Sequence, residues 1–266
     1  MSGFTTDWLA LREPADAVAR VGALVDPFVS GTAATRRVVD LGAGTGANLR
    51  YLAPRLGGSQ EWLAVDSDPT LLGALAARPA PAGTRVRTLR LDLAHDLDAL
   101  PLDRHDLVTA AALLDLVSAS WLGKLAARCA AARADVLFAL TYDGRIEWSP
   151  VEVGDARIRT LVNAHQRTDK GFGPALGPAA AVEAERIFAG LGYRMRSARS
   201  DWTLGTESRA LQGALVDGWV AAAVEIAPRK ATVLEDWRRR RHAHLAIGGS
   251  RLRVGHLDLA GELRSQ

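Results

Sequence analysis

The stretch Val38-Val39-Asp40-Leu41-Gly42-Ala43-Gly44-Thr45-Gly46 constrains this chain more than any other. Apolar residues run up to an acid, and glycines then alternate with small residues. A buried strand ends near Asp40 and the backbone turns tightly. Glycine there permits unusual dihedrals and puts no Cβ between the loop and a ligand. A helix over about Asn48 to Leu56, its end bent by Pro54, carries the chain away and leaves its first N–H groups free to meet a polar ligand. This is a nucleotide-type binding turn. Gly42, Gly44 and Ala47 also satisfy the G-x-G-x-x-G/A dinucleotide fingerprint, so the turn alone leaves a hydride-transfer enzyme open.

The rest of the chain supplies the sheet that such a turn needs. Buried strands are predicted at Trp62 to Val65, Val86 to Leu91, Leu107 to Ala111 and Ala134 to Thr141, with helices between them. That alternation implies a parallel sheet covered on both faces, with ligands bound beyond the carboxyl ends of its strands. The first three strand tips carry Asp40, Asp66 and Asp92. The regular rhythm stops after Asp143. A helix over about Asp155 to His165, a Gly/Pro loop and a helix over Ala180 to Leu191 lead to a strand from Tyr193 to about Arg199. Helical patterns over Thr206 to Ala227 and Ala231 to Ala246 precede a final strand from Arg251 to Leu259. Near the start, Trp8, Leu9 and Leu11 form an apolar patch. Pro14 is expected to open a helix carrying Val18, Val21, Val25 and Phe28 on one face.

With 266 residues, nearly half of them apolar, the chain has ample material for one core. Its 33 basic residues nearly balance 30 acidic ones, and lysine occurs only at 124, 170 and 230. The run Arg238 to Arg241 spreads around a helix, with Leu234, Trp237, Arg241 and Leu245 sharing one face, so it forms no basic stripe and nucleic acid is not the expected partner. Trp62, Trp121 and Trp219 read as core. Cys129 has no partner, which excludes a disulfide framework. No apolar run approaches transmembrane length and the N-terminus lacks a signal-type apolar region, so a soluble, cytoplasmic protein is expected.

The glycine turn with its acid two residues upstream resembles motif I of the class I S-adenosylmethionine (SAM) dependent methyltransferases of small-molecule type. A carboxylate under the turn repels a pyrophosphate but suits the ammonium and sulfonium of SAM. The resemblance implies that Asp66 binds the ribose hydroxyls, that Asp92 followed by Leu93 meets the adenine, and that Asp106 to Val117 is the fourth motif, with Asp115 where the family often has a histidine. It covers 36–143 firmly. Ser67 departs from the usual apolar residue after the ribose acid. The motif for methylating exocyclic base nitrogens is absent. So is a Cys pair for covalent base activation. The fold implied is α/β: a doubly wound, mostly parallel, seven-stranded sheet with an antiparallel C-terminal strand and helical cap insertions. It makes a single Rossmann-like domain over 1–266. N-terminal helices occupy 1–35, the SAM-binding core 36–143, and cap segments 144–178 and 203–249. The last two strands match the family's antiparallel sixth and seventh.

SAM is thus the expected cofactor, held by Asp40, Gly42, Gly44, Gly46, Asp66, Ser67, Asp92, Leu93 and Ala110, with no metal. The expected reaction is in-line methyl transfer to oxygen or nitrogen of a small molecule. A NAD(P)-dependent oxidoreductase and a non-catalytic SAM-binding module are the alternatives. Because a sulfonium already activates the methyl carbon, a dedicated acid–base residue is optional. Candidates are Tyr142, His165 (on one face with Ile158, Leu161 and Val162, pointing inward) and Asp115, which could equally cap the next helix. Substrate contacts are sought at Trp8, Arg12, Asp143, Arg145, Arg167 and Lys170, whose charges hint at an anionic acceptor. Gly171 to Pro174 reads as a lid or a connector.

Overall fold

The computed structural model describes residues 4–29 and 35–263. Its sheet is built from β1 (Arg36–Leu41), β2 (Gln60–Asp66), β3 (Thr84–Arg90), β4 (Leu107–Ala111), β5 (Asp135–Ser149), β6 (Tyr193–Arg199), β7 (Trp202–Leu204) and β8 (Arg251–Leu263). The order is β3-β2-β1-β4-β5-β8-β6, with β7 paired to β8. β1 to β5 are mutually parallel, and β8 runs antiparallel between β5 and β6. The chain leaves β1 to opposite sides, toward β2 and toward β4, so the crevice lies at their carboxyl tips, where the glycine turn stands.

Three expectations need correction here. The sheet has eight strands, because Trp202–Leu204 adds a short one against Leu252–Val254. The sixth strand is parallel to β5, since both pair antiparallel with β8; only β8 is reversed among the long strands. And Pro14 does not open a helix: it sits inside α1 (Thr6–Ala19), capped instead by Thr5, whose hydroxyl accepts from Trp8 N at 3.2 Å. Pro14 and Ala10, the carbonyl four residues earlier, are both exposed, so water meets the group that proline leaves unpaired. The helix ends at Ala19, and two 3-10 turns bury Val25 and Phe28 while Val18 is left 88% exposed.

β5 and β8 are long because both continue past the sheet as a twisted ribbon. Tyr142 pairs with His256 and Ser149 with Arg251, with register shifts at Phe138/Thr141 and Tyr142/Ile146. A bulge lets a strand bend and re-aim its side chains. Asp258 holds the first shift, its Oδ1 accepting from Leu140 N at 2.8 Å where Leu140 takes a positive φ of 55°.

One face of the sheet packs Val39, Leu41, Val108 and Phe138 under α4 (Ala119–Ala131) and α6 (Ala180–Gly190). The other packs Val38, Leu107 and Trp62 under α2 (Ala47–Leu56), while α3 (Pro69–Ala76) covers Ala64 with Leu75. A separate core surrounds the ribbon, where α5 (Asp155–His165), α7 (Arg209–Ile226) and α8 (Ala231–Ala246) enclose Trp148, Trp202 and Trp237. Trp148 meets Trp219 and Trp237 edge-on at 5.5 and 5.4 Å. The buried residues of α8 are Leu234, Trp237, Arg241 and Leu245, the face expected. Arg238 pairs with Glu235 and Asp217, Arg239 with Asp236, and Arg240 with Glu152, so the basic run is neutralised at the surface. No helix among the described residues is long and apolar enough to cross a membrane.

Arg241 is 1% exposed, bonded to Asp155 and to the Pro150 carbonyl at 2.7 Å, and lies over Trp148. Removing one partner of a buried pair strands the other's charge. Arg241→Ala is therefore expected to lower unfolding stability by about 3 kcal/mol in urea denaturation, and Arg241→Ala/Asp155→Asn by clearly less. Equal losses in both would show that lost packing, not the stranded carboxylate, sets the cost.

Candidate functional site

The turn after β1 takes its shape from three left-handed glycines, Gly42 at φ 62°, Gly44 at 52° and Gly46 at 85°. A Cβ on Gly44 would stand 3.1 Å from Leu9 of α1, and one on Gly46 3.0 Å from Leu75 of α3. The turn is thus a cradle that side chains would fill. Gly46 caps α2 without any side-chain hydrogen bond.

Beneath the turn, Asp40 is fully buried. Asn48 of α2 donates to its Oδ1 at 2.6 Å and to Thr109 Oγ1 at 3.2 Å, and Arg20 donates to Asn48 Oδ1 at 2.7 Å. Asp40 Oδ2 has no partner among the described residues. Loss of water pushes its carboxyl up to about 7, against the Asn48 hydrogen bond and the Arg20 charge. At the tip of β2, Asp66 Oδ2 accepts from Gly44 N at 2.8 Å and Oδ1 from Asp68 N at 3.0 Å. This ties the second strand to the glycine turn and leaves lone pairs toward the crevice. Ser67 is exposed beside it. Asp92 is exposed as well, with Ala94 N at 3.0 Å and His95 Nδ1 at 3.0 Å. Partial burial raises its carboxyl, but these contacts outweigh that and hold it below the usual range. Leu93 is buried, its carbonyl accepting from Trp121 Nε1 at 2.6 Å.

Ala110 was the expected contact on β4, but it points into the core with Leu41 and Val108. Strand alternation turns Ala111 the other way, into a cleft of about 220 Å³ between α1 and α2 that Asp16, Arg20, Asn48 and Leu140 also line.

α1 closes over the turn. Leu9 covers Gly44, and Glu13 binds Arg50 of α2 through two contacts of 2.7 Å. Trp8 and Leu11 pack on the ribbon core, Trp8 with a buried, unpartnered Nε1. Under this roof Asp115 is buried, its Oδ1 without a partner among the described residues, and loss of water pushes its carboxyl up to about 6 while the N–H groups of Asp115 and Tyr142 and the charge of Arg12 pull down. It does not cap α4; Ser118 does, accepting from Trp121 N at 3.2 Å. Tyr142 is buried beside it and donates to Asn163 Oδ1 at 2.7 Å, and burial raises its hydroxyl far above the usual value.

His256 joins this group unforeseen. Its ring lies 6.2 Å from Tyr142 and 4.9 Å from Trp202, its Nδ1 is unpartnered, and burial pushes its imidazole down to about 3. The available signal was the alternation Leu252, Val254, His256, Asp258, which puts two polar residues on the buried face of the last strand.

The remaining candidates are spent elsewhere. Arg12 binds Asp16 through Nε and Nη2 and stacks 5.0 Å from Trp202. Arg145 is held by Asp143 and doubly by Asp201, which accounts for Asp143 too. His165 does not point inward: Ile158 and Val162 fill the buried face of α5, while His165 pairs at the surface with Glu225 of α7 at 3.0 Å. Lys170 bonds Thr168 and lies against His165, and exposed Arg167 reaches Asn163 O one turn back. Nor is 171–174 a free lid, because Phe172 packs edge-on against Trp121 and Asp169 binds Gly171 N and Gly173 N.

Residues 38–134 match the profile of a family described as methyltransferase domain. Over that segment the chain is similar to a methyltransferase domain. Around it the whole fold is that of the class I enzymes. It is similar to a cyclopropane synthase from Mycobacterium tuberculosis (12% identity, covering 97% of this chain and 94% of that one, TM-score 0.51). It is also similar to a cyclopropane-fatty-acyl-phospholipid synthase-like protein from Lactobacillus casei (16%, 96% and 94%, 0.52). A third likeness is to phosphoethanolamine N-methyltransferase 2 from Haemonchus contortus, solved with phosphomonomethylethanolamine and S-adenosylhomocysteine (14%, 99% and 59%, 0.51). No curated protein matches at a significant level. The methyltransferase match covers β1 to the end of α4, the segment that holds the glycine turn, Asp66 and Asp92.

Asp40 ionises near 3.8 by default and near 7 when folded. The unfolded chain thus releases this proton first as pH rises, so this carboxyl costs stability increasingly between about pH 4 and 7. The difference corresponds to on the order of 4 kcal/mol. Asp40→Asn lacks this loss, and its stability relative to wild type should improve from pH 5 to pH 8 in urea denaturation, Asp115 contributing equally to both proteins. Parallel pH profiles would contradict a buried, raised Asp40.

Proposed function

We propose that this protein uses SAM to methylate an oxygen or nitrogen of a small molecule as a cytoplasmic enzyme. The observation that carries the reading is Asp66, fastened to Gly44 N of the left-handed turn at 2.8 Å with acceptor capacity to spare. A carboxylate so placed suits a vicinal diol, which donates twice. The unpartnered Oδ2 of Asp40 and the cradle at Gly44 and Gly46 fit the same cofactor. Asp66 would hold the ribose, Asp92 and Leu93 the adenine side, and the turn with the first residues of α2 the amino-acid part. SAM supplies a methyl carbon activated by its sulfonium.

What this chain must add is alignment and exclusion of water. α1 supports both, spanning the glycine turn and the ribbon core. Asp115, Tyr142 and His256 lie under it, as groups that can orient an acceptor or take its proton. A nicotinamide coenzyme fits less well, because its pyrophosphate would meet the Asp40 charge under the turn.

The test is calorimetric titration with S-adenosylhomocysteine. Wild type should bind it, and Asp66→Ala should bind at least roughly tenfold more weakly, the scale of hydrogen bonds to a charged group. NADH binding in its place would overturn the assignment, and unchanged affinity in Asp66→Ala would remove Asp66 from the site.

A further inference from the structure

The polar groups beneath α1 have a definite electrostatic sign. Two arginines near them are already taken. Arg12 is committed to Asp16 through two contacts and forms no ion pair with Asp115, and Arg145 is committed to Asp143 and Asp201. His256 is neutral, since burial holds its imidazole far below physiological pH. On the acidic side, Asp115 Oδ1 and Asp40 Oδ2 are buried with no hydrogen-bond partner among the described residues, and Thr141 Oγ1 shares that condition. Asp115 and Asp40 therefore each present an unmet acceptor oxygen beneath the helix.

Leaving a buried carboxylate oxygen unpaired is unfavourable, and a ligand bearing N–H donors and positive charge removes that cost. A carboxylate or phosphate would instead bring a like charge to the unpaired oxygen of Asp115. Beside Asp115, Tyr142, His256 and Trp202 follow one another in edge-on and tilted contacts at 6.2 and 4.9 Å, an aromatic surface that suits an apolar body.

We infer that the methyl acceptor is an amine that arrives protonated, and that Asp115 is the residue that anchors its nitrogen and takes one proton from it. The nitrogen lone pair is thereby freed to form the new N–C bond as the sulfonium S–C bond breaks and S-adenosylhomocysteine leaves. This rests on the SAM reading of the glycine crevice and narrows its oxygen-or-nitrogen acceptor to nitrogen. It also reverses the anionic acceptor suggested by the sequence. Arg12, Arg145, Arg167 and Lys170 all have protein partners, whereas Asp115 Oδ1 has none among the described residues.

If Asp115 holds an acceptor nitrogen, it stands beside the methyl group that is transferred. Sinefungin, an S-adenosylhomocysteine analogue with a primary amine on the carbon that replaces the methylated sulfur, carries an ammonium to that place. The experiment is calorimetric binding of sinefungin and S-adenosylhomocysteine to wild type and to Asp115→Asn. Wild type should favour sinefungin by about tenfold, as expected for hydrogen bonds to a charged group. Asp115→Asn should bind S-adenosylhomocysteine as wild type does and lose that preference. A preference kept in Asp115→Asn overturns the role of Asp115. A wild type that binds sinefungin no better than S-adenosylhomocysteine overturns the proposal whatever the variant does. Failure of wild type to bind either ligand refutes the cofactor reading instead, and retained S-adenosylhomocysteine binding by the variant certifies its fold.

Discussion

Asp40 sits wholly buried with one oxygen on Asn48 and the other without a partner among the described residues, and the architecture of the crevice is arranged around tolerating it. Asn48 passes the interaction to Arg20, whose Nε lies 3.8 Å from Asp258 of the last strand. Asp258 in turn accepts from Val21 N at 3.0 Å and Leu140 N at 2.8 Å. A single chain of polar contacts thus joins β1, α2, the segment after α1, β8 and the bulge in β5. Burial alone would pull Arg20 toward neutrality, and Asp258, Tyr51 and Asp40 oppose that. Networks of this kind are costly when half satisfied and rigid when complete. Here two carboxylates share one guanidinium, and the unmet valence points to the crevice, where a cofactor with donors can complete it.

α1 connects this network to the rest of the site. Glu13 and Leu9 fix it to α2 and to the glycine turn, while Trp8, Leu11 and Ala15 pack on the core around the ribbon. Asp16 bridges the two regions, accepting from Arg12 and from Trp202 Nε1 at 3.0 Å. The parallel half of the sheet and the cap therefore share one roof. A ligand that seats under Leu9 and Trp8 must displace or fit contacts on both sides, so cofactor and acceptor sites meet at the same helix.

The parts of this fold legible in the sequence are those with a local cause. Strand tips with acids, the glycine turn and the buried face of α8 follow from periodicity and from the conformational freedom of glycine. What escaped depends on partners distant in sequence. Arg145 looks like a free cation until the fold brings Asp201, 56 residues on, within 2.6 Å. Tyr142 and His256 become neighbours only through the register of an antiparallel pair. His165 satisfies the helical spacing of its apolar neighbours, yet one further turn along α5 carries it past the edge of the core to Glu225. Ala110 failed for a simpler reason: β4 alternates, and a shift of one residue exchanges the core face for the cleft.

The same long-range pairing separates the protein's overall charge from the charge of its site. The chain carries a net charge of +3 and abundant arginine. Those arginines serve structure: Arg241 is buried on Asp155, Arg20 and Arg55 lie on the two-sided face of Tyr51 at 4.3 and 3.7 Å, and Arg50 locks α1. Each of these is held by a carboxylate, a carbonyl, an amide or a ring. The acids of the strand tips are not spent in this way, because Asp40 and Asp115 lie where no arginine forms an ion pair with them. Net charge is a sum over all groups, whereas a site responds to the few that remain unpaired, and in this crevice Asp40 and Asp115 each leave an oxygen without a partner among the described residues.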